Sequence, residues 1–109
     1  MPKYHNRKTV LDGMTFDSAA EAARWRELTL LEKAGHIRDL QRQVPIELVP
    51  GARLHGEKRA RPAIRLVVDF AYRADGERIY EDTKGMETPM SRAKRHMAKA
   101  LHGIDVRVS

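Results

Sequence analysis

The chain has 109 residues, enough for one domain with one core and too few for two. Its 21 Lys and Arg against 15 Asp and Glu leave a formal net charge of +6 and a pI near 10.0. That balance favours a polyanionic partner, nucleic acid before an acidic membrane surface. The absence of cysteine excludes disulfides, thiolate zinc sites and cysteine nucleophiles. His5, His36, His55, His96 and His102 show no metal-ligand spacing. The opening MPKYHNRKTV has no apolar h-region, and no apolar run approaches membrane-spanning length. A cytoplasmic protein with no membrane partner is the expectation.

Residues 1–8 carry Lys3, Arg7 and Lys8 without an apolar period. They read either as a solvated tail or as a basic arm on phosphates, ahead of a single domain over 9–109. Thr9 to Leu11 and Met14 to Phe16 flank Asp12-Gly13, a strong two-residue hairpin signal. Asp17 and Ser18 then open a helix that stops at Gly35. Ile37 to Val49 alternates as a strand, with Leu40, Val44, Ile46 and Leu48 on one face and Gln41, Gln43 and Glu47 on the other. Arg42 interrupts its apolar face, and Pro45 suggests an edge or a bulge. Residues 50–63 are a loop in which Arg53, Lys58, Arg59 and Arg61 concentrate, long enough to be functional or mobile.

Ile64 to Arg73 is the clearest strand, and Arg78 to Lys84 returns from the turn Ala74-Asp75-Gly76-Glu77. Ser91 to His102 is a second helix, ended by Gly103, with Ala93, Met97, Ala100 and Leu101 expected in the core. Arg92, Arg95 and Lys99 would stand outward with Lys94 close by, either solvated or on phosphates. Ile104 to Val108 closes as a short strand. The expected fold is therefore α/β, in the order α-β-β-β-α-β behind a short hairpin.

With Asp75-Gly76 as a two-residue turn, Ala74 pairs with Glu77 and Asp69 falls directly opposite Asp82. A three-residue loop would break that register. Side chains so opposed have Cβ atoms about 4.5–5.5 Å apart, and like charges there destabilise a sheet. Two convergent carboxylates are instead hard oxygen ligands for Mg²⁺, which keeps remaining positions for water and a phosphate oxygen. Lys84, on the same face, would orient or deprotonate the attacking water, or steady charge at phosphorus. The alternative is a structural Lys84–Asp69 ion pair with Asp82 solvated. Ser18-Ala-Ala-Glu21 has capping-box spacing, which explains Glu21 structurally; a carboxylate in that first turn also reaches toward the metal. Gln43 either lines the site or is solvated.

Glu21 in the first helix, Asp69 in the second core strand and Asp82-x-Lys84 in the third resemble the PD-(D/E)XK nuclease superfamily. KYHNRKTVLDGMTFDSAAEA, DLQRQ, VVDFAY and YEDTKG are also similar to a small uncharacterised nuclease-like family of tailed phages and prophages. The resemblance implies a restriction-endonuclease-like core with a mixed four-stranded sheet. It implies metal ligation by Asp69, Asp82 and the Thr83 carbonyl, with Lys84 acting on the water and Glu21 completing the acidic cluster. Val68 stands where the motif has proline. The activity implied is Mg²⁺-dependent DNA endonucleolysis, with Mn²⁺ able to substitute. A small chain with no separate sequence-reading domain suggests structure-selective cutting, for example a Holliday junction resolvase working as a homodimer. A non-catalytic DNA-binding module on the same fold is the alternative.

Overall fold

The computed structural model describes residues 8–83 and 87–109. Strands β1 (Thr9–Leu11) and β2 (Met14–Phe16) form a hairpin, followed by helix α1 (Ala19–Lys33), strands β3 (Arg38–Val49), β4 (Ile64–Ala74) and β5 (Glu77–Asp82), helix α2 (Pro89–His102) and strand β6 (Arg107–Val108). Both hairpin turns adopt the type the sequence asks for. Asp12 and Gly13 have φ of 51° and 78°, and Asp75 and Gly76 have 52° and 80°. Two successive positive φ values match the right-handed twist of the flanking strands, and Asp-Gly supplies them at least strain.

The main sheet runs β3-β4-β5-β6, antiparallel at its first two interfaces and parallel between β5 and β6. It is the mixed four-stranded sheet expected, with β3 at the edge as Pro45 requires. Ser18 caps α1, its hydroxyl accepting the Glu21 amide at 3.1 Å. Helix α2 starts two residues before the expected Ser91: Thr88 is its N-cap, Pro89 opens it, and Ser91 bonds back to the Thr88 amide. Pro is pre-organised for that first position and has no amide to satisfy.

Two apolar clusters hold the layers together. One gathers Leu28 and Trp25 of α1 with Ile37, Phe70, Tyr72 and Ile79. The other gathers Ala98 and Met97 of α2 with Ile46, Leu48, Leu66, Val68 and Val106. Ile79 packs in the first and Tyr80 against the second. Consecutive strand residues point to opposite faces, so the helices cover opposite sides of the sheet. The face of α2 differs from expectation. Ala98 is fully buried and Met97 half-buried, while Ala93, Ala100 and Leu101 are exposed. The closing strand is also shorter than Ile104 to Val108, because Ile104 and Val106 turn into the core before pairing begins.

Leu66, Val68, Phe70 and Tyr72 of β4 are all buried, the first two in the α2 cluster and the last two in the α1 cluster, with half-buried Asp69 between them.

Candidate active site

The ladder between β4 and β5 runs from Ala74↔Glu77 to Phe70↔Glu81 and ends there. The next opposed pair is Asp69 and Asp82, in the register the turn dictates. At this position side chains take over the hydrogen bonding. The Asp69 amide donates to Asp82 Oδ1 at 2.8 Å, and the Thr83 amide donates to Asp69 Oδ2 at 2.7 Å. Each carboxylate thus spends one oxygen on the facing backbone and keeps its second clear of it. Burial pushes Asp69 up to about 6, against the pull of the Thr83 amide and with help from the Glu21 carboxylate. Burial likewise pushes Asp82 up to about 6; the Asp69 amide opposes this, the Asp69 carboxylate adds to it, and Arg95 counters.

Glu21 is 3% exposed, which is rare for a carboxylate without a full set of partners. Only half of the expected capping box forms: Ser18 caps the helix, but the Glu21 carboxylate makes no return bond to the Ser18 amide. Because α1 lies against the sheet, its first turn directs this side chain inward beside Asp69. Glu21 Oε1 is buried with no hydrogen-bond partner. Arg42 Nη2 stands 3.7 Å from it, beyond hydrogen-bond distance. Arg42 is held by the hairpin, stacked 4.1 Å from the Phe16 ring centroid and donating to the Thr15 carbonyl at 3.1 Å. The residue that interrupted the apolar face is thus a seated cation at the edge of the acidic cluster.

Gln43 lies between the pairs Arg42↔Phe70 and Val44↔Val68, so it faces Asp69 from β3. It is exposed, and its φ is 51°. A non-glycine residue in that region inside a strand carries strain. Thr83 is half-buried, with its hydroxyl unpartnered beside the two aspartates. Lys84, Lys3 and Arg7 lie outside the described residues; Lys8 is exposed.

The basic face expected on α2 is largely neutralised. Arg92 pairs with Glu87 at 3.1 Å, Arg95 pairs with the same carboxylate, and Lys99 pairs with Asp105 at 3.0 Å. Arg95 and Lys94 are half-buried rather than outward. Glu87 and Asp105 escaped the sequence reading because both flank the helix and reach it only once the chain is folded. A second omission is Glu81, 5% exposed, which takes Arg24 Nη2 at 3.0 Å and Arg24 Nε at 3.2 Å. Its signal was present: Glu81 shares parity with Ile79, and Arg24 lies three residues past Glu21 on the same helix face.

Among the described residues, no three His, Asp or Glu side chains form a group able to hold a metal ion by themselves. No helix among the described residues is long and apolar enough to cross a membrane. A family model described as a protein of unknown function (DUF1064) matches residues 1–108. The chain belongs to that family. Neither the curated proteins nor the solved structures yield a match. The DUF1064 match spans every element that positions Glu21, Asp69, Asp82 and Thr83.

Proposed function

We propose that this DUF1064 chain is a metal-dependent DNA endonuclease on a PD-(D/E)XK, restriction-endonuclease-like core. One observation carries the reading: at the point where β4 and β5 stop pairing, Asp69 and Asp82 meet through each other's strand, with buried Glu21 beside them, its Oε1 in no hydrogen bond and 3.7 Å from Arg42 Nη2. Three acids so close repel one another and lose hydration, a cost that the amide bonds to Asp69 and Asp82 and the Arg42 cation beside Glu21 only reduce. A divalent cation removes the repulsion and the desolvation penalty together.

The donor chemistry fits Mg²⁺, which takes one or two carboxylates and leaves the rest of its shell to water and phosphate rather than to a protein cage. Asp69 and Asp82 would ligate through the oxygens they keep clear of the backbone, with the Thr83 carbonyl as third donor. When bound, Mg²⁺ or Mn²⁺ would acidify water and stabilise charge developing at phosphorus. The Asp69 and Thr83 amides hold the two carboxylates in fixed rotamers. Glu21 orients water on the α1 side, and Lys84 would hold a proton or an equatorial oxygen. The net charge of +6 favours nucleic acid as the substrate. Branched DNA, including four-way junctions cut by two copies of the chain, is the substrate class proposed.

The test is an assay of the purified protein on linear, flapped, forked and four-way DNA, with Mg²⁺, with Mn²⁺ and with chelator. Metal-dependent cleavage that Asp82→Ala abolishes, with DNA binding retained, supports the reading. Binding without cleavage on every substrate would leave a non-catalytic DNA-binding module.

A further inference from the structure

Arg92, Arg95 and Lys99 of α2 are matched by acids, but among the described residues Arg53, Lys58 and Arg59 of the β3–β4 connection are not. Arg53, Lys58 and Arg59 are exposed. None of them is in an ion pair or a hydrogen bond, whereas Arg61 pairs with Glu57 at 2.6 Å. Three free cations within seven residues repel one another, and the fold obtains no compensating contact from them.

The segment is nevertheless built. Ala52 and Arg61 form an isolated antiparallel bridge, with reciprocal amide-to-carbonyl bonds of 3.1 and 2.7 Å closing its neck. Gly51 is packed so tightly there that a Cβ would stand 2.5 Å from the Arg61 carbonyl oxygen. Inside the lobe, the Glu57 amide bonds to the Leu54 carbonyl at 3.1 Å, and Gly56 turns the tip at φ 82°. A loop that only linked two strands would need none of this, and one closed at its neck presents its cations at low entropic cost.

We propose that the lobe over 52–61 is a second DNA-contacting site, in which Arg53, Lys58 and Arg59 bind backbone phosphates of a duplex arm remote from the cut. The inference deepens the nuclease reading and rests on it for the position of the scissile phosphate. The lobe springs from the start of β4 at Ile64, five residues before Asp69. At about 3.3 Å per residue that separation is about 17 Å along the strand. A duplex carries a phosphate about every 3.4 Å along each strand. A ligand that engages both places therefore spans about five phosphates, which a mononucleotide or a free phosphate cannot do.

The experiment compares wild type with the triple variant Arg53→Gln/Lys58→Gln/Arg59→Gln in binding a fluorescent DNA duplex of about 30 base pairs, in chelator, across a salt series. Each lost phosphate contact should lower the log–log salt slope by about 0.9, so the variant's slope should fall by about 2–3. Melting temperature should hold, since all three side chains are exposed. Glu57→Gln, which removes the lobe's acid and frees Arg61, should steepen the slope. An unchanged slope in either variant overturns the proposal. So does a wild type that prefers phosphatidylserine-containing vesicles to the duplex. Cleavage separates the two readings. A triple variant that cuts and binds as wild type does refutes the lobe and leaves the nuclease standing. A wild type that never cuts, but whose duplex binding depends on the lobe, does the reverse.

Discussion

Asp82→Asn isolates what the acidic pair costs the fold. Asparagine keeps Oδ1 as the acceptor for the Asp69 amide at 2.8 Å and removes only the charge. The folded chain holds the Asp82 carboxyl up to about 6, from an ordinary 3.8. At 1.36 kcal/mol per pH unit that difference is about 3 kcal/mol for a fully shielded group. This carboxyl is only partly shielded, so solvent screening reduces the figure to about 1–2 kcal/mol. The sign follows from linkage. A raised folded pKa means that the stability present below 3.8 is lost as pH rises through about 6. Wild type and variant should therefore melt together near pH 4, and the variant should melt higher at pH 7.5. For a domain of this size the difference is about 4–10 °C. Adding Mg²⁺ at pH 7.5 should raise the wild-type melting temperature and not the variant's, because a ligand stabilises only the state that binds it. Thermal unfolding at the two pH values in chelator is the measurement. If Asp82→Asn is destabilised equally at both, the aspartates are a structural hydrogen-bond pair and the electrostatic reasoning fails.

Ser18→Ala should cost about 1 kcal/mol through the lost cap, with catalysis unchanged. Glu21→Gln should do the opposite, lowering metal-dependent cleavage at least about tenfold with little change in melting temperature; a melting loss at normal rate would return Glu21 to the cap. Arg24→Leu leaves Glu81 buried without its partner and should cost about 2–4 kcal/mol by denaturant unfolding, a value near zero meaning that Glu81 finds water or Tyr72 instead. Gly51→Ala forces a methyl against the Arg61 carbonyl and should cost about 1–3 kcal/mol while speeding amide exchange at Arg61 and Ala52. Unaltered exchange there would show that the neck yields without opening.

The parts of this structure that were legible are those decided locally. Asp12-Gly13 and Asp75-Gly76 each demand two positive φ values, and the second turn alone sets the register that opposes Asp69 to Asp82. Ser18 and Gly35 bound α1 for equally local reasons. What escaped depends on how elements meet. Helix α2 is clearly amphipathic, but packing decides which of its residues are covered: Ala98 joins Val68 and Val106, while Ala93, Ala100 and Leu101 stay exposed. Glu21 satisfied a capping-box pattern that the packed helix does not complete. Arg42 read as an interruption because nothing nearby in sequence shows that the hairpin will lay Phe16 beneath it.

A strained backbone position and the unfavourable charges coincide in space. Asp69 and Asp82 sit just past the end of the β4–β5 ladder, where the Thr83 amide reaches Asp69 Oδ2, and Gln43 of β3, opposite Asp69, has φ 51°. A strained residue of this kind costs about 1–3 kcal/mol. That penalty falls beside the carboxylates, while the other irregularities of β3, Asp39 at φ 57° and the register shifts at Arg38/Gln41 and Glu47/Val49, lie away from them. Strain and like charge at one point destabilise the fold, and on the proposed metal-dependent reading a bound cation would offset the charge.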